Sequence, residues 1–479
     1  MSKITDRSKE PSRGGDVLMR ALGLDYDRYA PSRLSWDYEA LMREVGLDID
    51  RVAQIQREVF VGGTPLAELK NITELARLIA RPGKGARIFL KDEASNPTGS
   101  FKDRRASLPV YFAAERDYPG VVAATSGNYG AAVASQAARR GLKAIIIQEV
   151  YDSQMRGQPE SLEKGRACES YGAEVQQLTV GPEVFNTVIL QILEETGYFS
   201  ASLYLPHSIA GIETLGSEIA TGIRGLCGRD PDVVLVTHAG GGNITGTARG
   251  LARVGCTAER VAVSVDLGEL NLHDDALFSR KTFSTGHTGY GYPSLYNPES
   301  VDVPLNAARP LRYIDRYVTV SQGEVFFATE MLAQLEGLSR GPAGNTSLAA
   351  AFCIAQELDR DQIVVVQETE GTGAGKLHTA QITFARENGV RIARGDPRQE
   401  VAGESIVIPD HPRQMSVHEV DLDVFRRRYL QAQVTGKGMD GVDGVEVDYL
   451  AQEMGLDREA TLRMLQDAGI AVSGRVDGG

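Results

Sequence analysis

Cysteine is scarce in this sequence: 479 residues hold four, Cys168, Cys227, Cys256 and Cys353, with no CxxC pair among them. That spacing excludes a zinc framework and a disulfide scaffold, so no metal site is expected and the thiols read as reduced, in a cytoplasmic protein. No apolar run reaches the length of a membrane span. The opening MSKITDRSKEPSRGG is polar and lacks the apolar segment of a secretory signal. Positive charge is not in excess either. A net charge of −13 and a pI near 5.2 argue against nucleic acid or an anionic membrane as the main partner.

Two nucleotide motifs are also missing. GTGAGK (371–376) suggests a phosphate loop, but the motif needs Gly at 370 and Ser or Thr at 377, where Glu370 and Leu377 stand. HAGGGNITG (238–246) contains no GxGxxG window, so a dinucleotide fingerprint is excluded.

What is present is a long α/β chain. Hydrophobic residues make up 42% and charged residues 24%, as in globular proteins, and the length calls for two or three structural units. Helical spacing over Trp36–Phe60 predicts one or two amphipathic helices with a break near Gly46. From residue 86 onward, short apolar runs alternate with helical stretches. RIFLK (87–91), GVVAAT (120–125), KAIIIQ (143–148), AEVQQL (173–178), DVVLVT (232–237), RVAVSV (260–265) and QIVVVQ (362–367) read as strands. The helical stretches between them, such as YGAAVASQAARRG and SLEKGRACESYG, end on glycine. Such alternation implies βαβ units, mainly parallel sheets, and two α/β domains with a cleft between them. The expected division is a helical extension over 1–60 and a core over 61–395, with a smaller α/β domain near 105–205 inserted in the larger one. A linker and helical extension follow over 396–479.

Three loops follow strands and carry polar or glycine residues. ATSGNYGAA (124–132) reads on its own as a helix-cap cluster. AGGGNITG offers converging backbone N–H groups, with Asn243 and Thr245 as further donors; alone, an anion cradle and a tight strand–helix connection account for it equally. The third is EGTGAGK. Before them stands NPTGSFKDRR (96–105), which places Lys102 at a predicted helix start, where the helix dipole disfavours a cation. Turns at the carboxyl ends of strands face one crevice. A lysine, an anion cradle and two polar loops in one crevice point to a cofactor with an aldehyde and a phosphate.

KDEASNPTGSFKDRR, with GGTPL (62–66), GIETLGSEI (211–219) and LEGLSRGPAGNTSLAAA (335–351), resembles the fold type II pyridoxal-phosphate enzymes. This is the tryptophan synthase β family, and the similarity is greatest to its threonine synthase-like branch, over roughly residues 60 to 395. The resemblance implies pyridoxal 5′-phosphate bound covalently to Lys102, with Asn128 on the cofactor's 3′-oxygen. It also implies a phosphate cradle of Gly240, Gly241, Gly242, Asn243 and Thr245, with Thr372 facing the pyridine nitrogen. Thr125, Ser126 and Gly127 match the loop that holds the substrate carboxylate.

The Trp36–Phe60 lead-in, THAGGGNITGTARG, STGHTGYGYP and QETEGTGAGK are similar to β-subunits within this branch that perform a thiolytic reaction. These imply coenzyme A as co-substrate and cleavage of 2-amino-4-oxopentanoate to acetyl-CoA and alanine, as the D-isomer, in ornithine degradation. A small α-subunit and a homo-oligomer of this chain are implied partners. His287 and Tyr290, with Tyr292, lie in a glycine-rich stretch and are candidates for a loop over the substrate or for acid–base groups; as a lone histidine, His287 reads first as structural. The phosphates of coenzyme A need cations, for which Arg104, Arg105 and the α-subunit are the candidates. Cys168 and Cys353 read as core thiols, and His238 as a packing residue beneath the phosphate loop. Within the family, a β- or γ-replacement or elimination enzyme is the alternative. Outside catalysis, the alternative is a regulatory subunit that binds the cofactor, against which an intact Lys102 argues.

Overall fold

The computed structural model describes residues 13–473 except 31, 33, 126, 152–154, 180–181, 268–290, 299–301 and 372–376. Among the described residues, no helix is long and apolar enough to cross a membrane.

The larger sheet is built from β1 (Leu66–Glu68), β2 (Arg87–Asp92) and four later strands. Between β2 and those strands the chain forms a separate four-stranded sheet from β3 (Gly120–Thr125), β4 (Lys143–Tyr151), β5 (Glu174–Thr179) and β6 (Phe199–Ser200). Its order is β5-β4-β3-β6, all parallel. The chain then returns with β7 (Val233–Thr237), β8 (Glu259–Val265), β9 (Arg316–Val320) and β10 (Ile363–Glu368). The larger sheet runs β1-β2-β10-β7-β8-β9, with the short strand His418–Glu419 at its far edge. Its inner pairs are parallel, and both edge pairs are antiparallel. Because β10 inserts between β2 and β7, the carboxyl ends of β7 and β10 lie side by side where the strand order reverses. That is where open α/β sheets bind ligands.

The seven runs read as strands from their Val and Ile content are all strands here. Burial explains why the central ones are apolar throughout rather than alternating: every residue of β7 and of β10 is buried, whereas the edge strand β5, EVQQLT, has no buried residue. β9 was not anticipated. Its sequence RYVTV is half polar, yet four of its five residues are buried, with Tyr317 donating to Ser264 at 2.8 Å.

Helices α1 (Arg13–Leu22), α2 (Tyr38–Arg43), α3 (Ile49–Glu58) and α4 (Lys70–Ile79) precede the site. Asp37 and Asp48 cap α2 and α3, each accepting a backbone N–H. Trp36, Tyr38, Leu41, Val52 and Ile55 from this lead-in join the main core. Five helices position the site: α5 (Lys102–Glu115), α6 (Asn128–Arg139), α7 (Pro159–Ser170), α8 (Pro182–Thr196) and α9 (Pro206–Cys227). They are joined by α10 (Gly242–Arg253). Helices α9 and α10 pack through glycines. A Cβ on Gly216 would overlap the Thr247 carbonyl oxygen, and one on Gly250 the Glu213 carbonyl oxygen. After β10 come the parallel pair Arg391–Arg394 with Ser405–Ile408, then helices Leu422–Leu430, Gly444–Met454 and Arg458–Asp467. Glu453 of this tail forms a buried ion pair with Arg309, tying it to the main core.

Candidate active site

Lys102 is the first residue of α5, as the turn before it predicts. The turn is held by Asp103, whose Oδ2 accepts both the Thr98 N–H and the Thr98 hydroxyl at 2.8 Å. Gly99 takes a φ of +78° there, a conformation that favours glycine. Burial lifts the Asp103 carboxyl to about 6, against the lowering effect of the Thr98 hydrogen bonds. The Lys102 side chain is half-buried, with Nζ 4.4 Å from the centroid of the Phe101 ring.

Arg104 and Arg105 have different fates. Arg104 is fully buried in a network with Glu93, Glu218 and Lys91. Its Nε donates to Glu93 Oε2 at 2.7 Å, Nη2 to Glu93 Oε1 at 2.9 Å, and Nη1 and Nη2 to Glu218 at 2.9 and 2.8 Å. Lys91 Nζ donates to Glu218 Oε2 at 2.7 Å. Despite burial, the Arg104 and Lys91 charges hold the Glu218 carboxyl well below the usual carboxylate range. Arg104 therefore locks α5 to the turn that follows β2 and to α9, and has no donor to spare for a phosphate of coenzyme A. Arg105 instead lines the cleft.

The cleft also receives the carboxyl ends of three strands. From β3 come Thr125, Gly127 and Asn128; from β7, Thr237 and the loop Gly240–Asn243; from β10, Thr369 and Glu370. Thr125 Oγ1 accepts the Gly127 and Gly130 N–H groups at 2.9 and 3.2 Å, shaping the turn into α6. Asn128 donates through Nδ2 to Glu370 Oε2 at 2.5 Å. Glu370 was not singled out in the sequence, since EGTGAGK reads there as a glycine loop. Gly241 caps α10 at a φ of +81°, which opens the α10 N-terminus to the cleft.

Thr245, expected in the cradle, is placed otherwise. Its hydroxyl donates to the Gly241 carbonyl at 2.8 Å and accepts the Arg309 N–H at 3.1 Å. It braces the loop from behind and is not among the cleft-lining residues. His238 lines the cleft but is buried, edge-on to Tyr317 at 5.4 Å and bonded through Nε2 to Ser294 at 3.1 Å. Cys168 and Cys353 are buried, and burial pushes the Cys168 thiol up to about 12. Neither thiol is suited to nucleophilic attack. Ser126, Thr372, His287 and Tyr290 lie outside the described residues.

Three polar atoms of cleft-lining residues are buried with no partner among the described residues: Asn128 Oδ1, Thr237 Oγ1 and Asn243 Nδ2. Buried polar groups are nearly always hydrogen-bonded, so such atoms in a cleft call for a ligand. The cradle of Gly240, Gly241 and Gly242 carries no side chains that would fill it. An amine, bare backbone at a helix N-terminus and two amides needing partners fit an aldehyde-bearing phosphate ester such as pyridoxal phosphate.

Comparison with known proteins agrees. Residues 58–369 match the family described as pyridoxal-phosphate dependent enzyme. A 2-amino-4-ketopentanoate thiolase β-subunit from Acetoanaerobium sticklandii is 54% identical, over 96% of this chain and 98% of its own length. Another of that name, from an unidentified prokaryote, is 53% identical over 98% of this chain and all of its own. Threonine synthase of Halalkalibacterium halodurans is 27% identical over 67% of this chain and 85% of its own. Solved structures share the fold. A threonine deaminase from T.th. has a TM-score of 0.52 at 24% identity, over 68% of this chain and 99% of its own. Maize serine racemase has a TM-score of 0.52 at 21% identity, over 71% of this chain and 99% of its own. The chain belongs to the pyridoxal-phosphate-dependent enzymes of fold type II, in the group of the 2-amino-4-ketopentanoate thiolase β-subunits.

Proposed function

We propose that this chain is the catalytic subunit of a thiolase that converts 2-amino-4-oxopentanoate and coenzyme A to acetyl-CoA and alanine. The observation that carries the reading is Lys102 at a helix start, in one cleft with three loops from strand carboxyl ends. The near full-length similarity to thiolase β-subunits supports the substrate and, through their name, a partner α-subunit.

When bound, pyridoxal phosphate supplies an aldehyde for an amine and a ring that withdraws electrons from the substrate carbons beside it. The residues would divide the work as follows. Gly240, Gly241, Gly242 and Asn243 hold the phosphate through N–H donors at the start of α10. Asn128 meets the ring oxygen, and Glu370, which accepts from Asn128, fixes its side chain. On the family resemblance, Thr125, Ser126 and Gly127 would hold the substrate carboxylate, and Thr372 would serve the ring nitrogen. Lys102 carries protons at the substrate Cα and C3. Its place at a helix N-terminus favours the neutral amine that this needs. In the overall change the coenzyme A thiol takes the acetyl group at C4 and the C3–C4 bond breaks. C3 gains the proton that the thiol gives up, leaving alanine.

The test is acetyl-CoA formation from both substrates by the chain, alone and mixed with its α-partner. The wild type should be active in at least one mixture, and Lys102→Ala should lose at least ~10³-fold, a combined loss of the amine and its acid–base work. A cofactor-loaded wild type that is inactive in both mixtures would overturn the thiolase reading and leave the family intact.

A further inference from the structure

Arg105 has an environment that its role as a helix residue does not explain. It is 4% exposed, and it lines the cleft beside the glycine loop. A Cβ on Gly242 would lie 2.7 Å from the Arg105 Cζ and 2.9 Å from Nη1, so the guanidinium is packed against the first residue of α10. Among the described residues its acceptor is the Leu203 carbonyl, reached by Nε at 2.9 Å and also by Nη2. No described carboxylate forms an ion pair with it, whereas its neighbour Arg104 has two.

A guanidinium has five donors and stays charged in proteins. A buried charge is costly unless it is paired. Here the cost is compounded, because the N-terminus of α10 carries partial positive charge of its own. Burial lowers the Arg105 guanidinium below its ordinary value. A neutral donor would hold the Leu203 carbonyl without these penalties. Asn243 Nδ2, also buried at the cleft and without a partner among the described residues, is a second donor aimed at the same need.

We propose that Arg105 is an anion-binding residue, its guanidinium supplying the countercharge for a phosphate monoester seated on the Gly240–Asn243 loop. The identification of that ester as the cofactor's 5′-phosphate rests on the reading above; the anion site does not. With the phosphate in place, one dianion is shared by a helix N-terminus and a guanidinium, and Gly242 is required as glycine because any side chain would displace the arginine.

The experiment uses the full chain stripped of cofactor. Inorganic phosphate is titrated by calorimetry into wild type, Arg105→Gln and Arg105→Lys, with circular dichroism confirming that each is folded. Phosphate affinity should fall about 10- to 100-fold in Arg105→Gln and less in Arg105→Lys, the range expected for a charged hydrogen bond. Pyridoxal phosphate affinity should fall by a similar factor, and affinity for pyridoxal, which lacks the phosphate, should stay unchanged. Equal weakening of pyridoxal and pyridoxal phosphate would overturn the proposal in favour of a structural role through Leu203. So would phosphate binding that is the same in wild type and both variants. Phosphate that still binds the cofactor-loaded chain at full strength would place the anion site elsewhere and overturn its assignment to the loop. Arg105-dependent phosphate binding in a wild type that takes up no pyridoxal phosphate would support the anion site and sink the cofactor reading instead.

Discussion

Replacing Gly250 with alanine sets two effects of opposite sign against each other. Gly250 lies inside α10, and alanine is intrinsically better there by up to about 1 kcal/mol. Yet its Cβ would overlap the Glu213 carbonyl oxygen and sit 2.7 Å from that carbonyl carbon, both backbone atoms of α9. A side chain can rotate away from such a contact, but a helix backbone has to move as a body. Overpacking of this kind costs about 1–3 kcal/mol, and contact with backbone falls at the upper end. The expected net effect is a loss of roughly 2 kcal/mol in stability. Because the start of α10 lines the cleft through Gly242 and Asn243, the displaced helix should also bind pyridoxal phosphate more weakly. Gly225 is the control. It lies in α9 with nothing within 4 Å of its would-be Cβ, so Gly225→Ala should stabilise by up to about 1 kcal/mol. Urea unfolding of both variants, with cofactor titration of each, measures the two outcomes. A Gly250→Ala protein as stable as Gly225→Ala, with unchanged cofactor affinity, would refute the claim that the α9–α10 contact sets the cradle.

Two further perturbations act at the base of α5. Arg104→Met strands the buried Glu93 carboxylate, while the half-buried Glu218 keeps Lys91, and should cost about 3–5 kcal/mol in urea unfolding; Arg104→Lys should rescue little, since an ammonium cannot serve both carboxylates with paired donors. Asp103, whose carboxyl is raised from 3.8 to about 6, binds its proton more tightly folded than unfolded. Its contribution is therefore most favourable below pH 4 and is lost as pH rises toward 6, by roughly 3 kcal/mol on linkage. Asp103→Asn keeps an acceptor for Thr98, so the variant should gain on the wild type between pH 4 and 6 and stay ahead at pH 8. A variant less stable than wild type at pH 8 in thermal unfolding would contradict this.

The legible parts of this molecule were those carried by local pattern. Long Val- and Ile-rich runs gave away the buried parallel strands, and Gly141 and Gly172 gave away the ends of α6 and α7. Lys102 was legible because a cation at a helix start is locally unfavourable and so asks for a reason. β9 was missed because RYVTV has the composition of a half-exposed strand, and only the covering helices reveal that it is buried. The insertion of β10 between β2 and β7 was also not legible, since strand order is a long-range property that periodicity does not record. Glu370 was not legible because nothing local at the head of EGTGAGK marks it as the partner of Asn128, 242 residues away in the chain. Thr245 looked like a donor because its residue type suited the task, but its side chain turned out to be used by Gly241 and Arg309.

Arg104 and Arg105 show the limit most clearly, because identical adjacent residues carry identical local information. Successive helix positions point about 100° apart, so each residue at the start of α5 meets a different neighbourhood. Lys102 reaches the cleft, Asp103 the Thr98 turn, Arg104 the carboxylates of Glu93 after β2 and Glu218 of α9, and Arg105 the start of α10. Arg104 and Lys91 together balance Glu93 and Glu218, so that network is neutral and closed. Arg105 lies over the Tyr204 ring, 5.5 Å from its centroid, and forms no ion pair with a described carboxylate, so on the proposal above an anion in the cleft meets its charge. The four residues thus fix the amine in place on three sides while leaving one cation, Arg105, with no ion-paired carboxylate among the described residues beside the phosphate loop. The strength of the anchoring and the demand for an anion are separate consequences of one helical turn, and substitutions at Arg104 and Arg105 should separate them: the first through stability, the second through phosphate affinity.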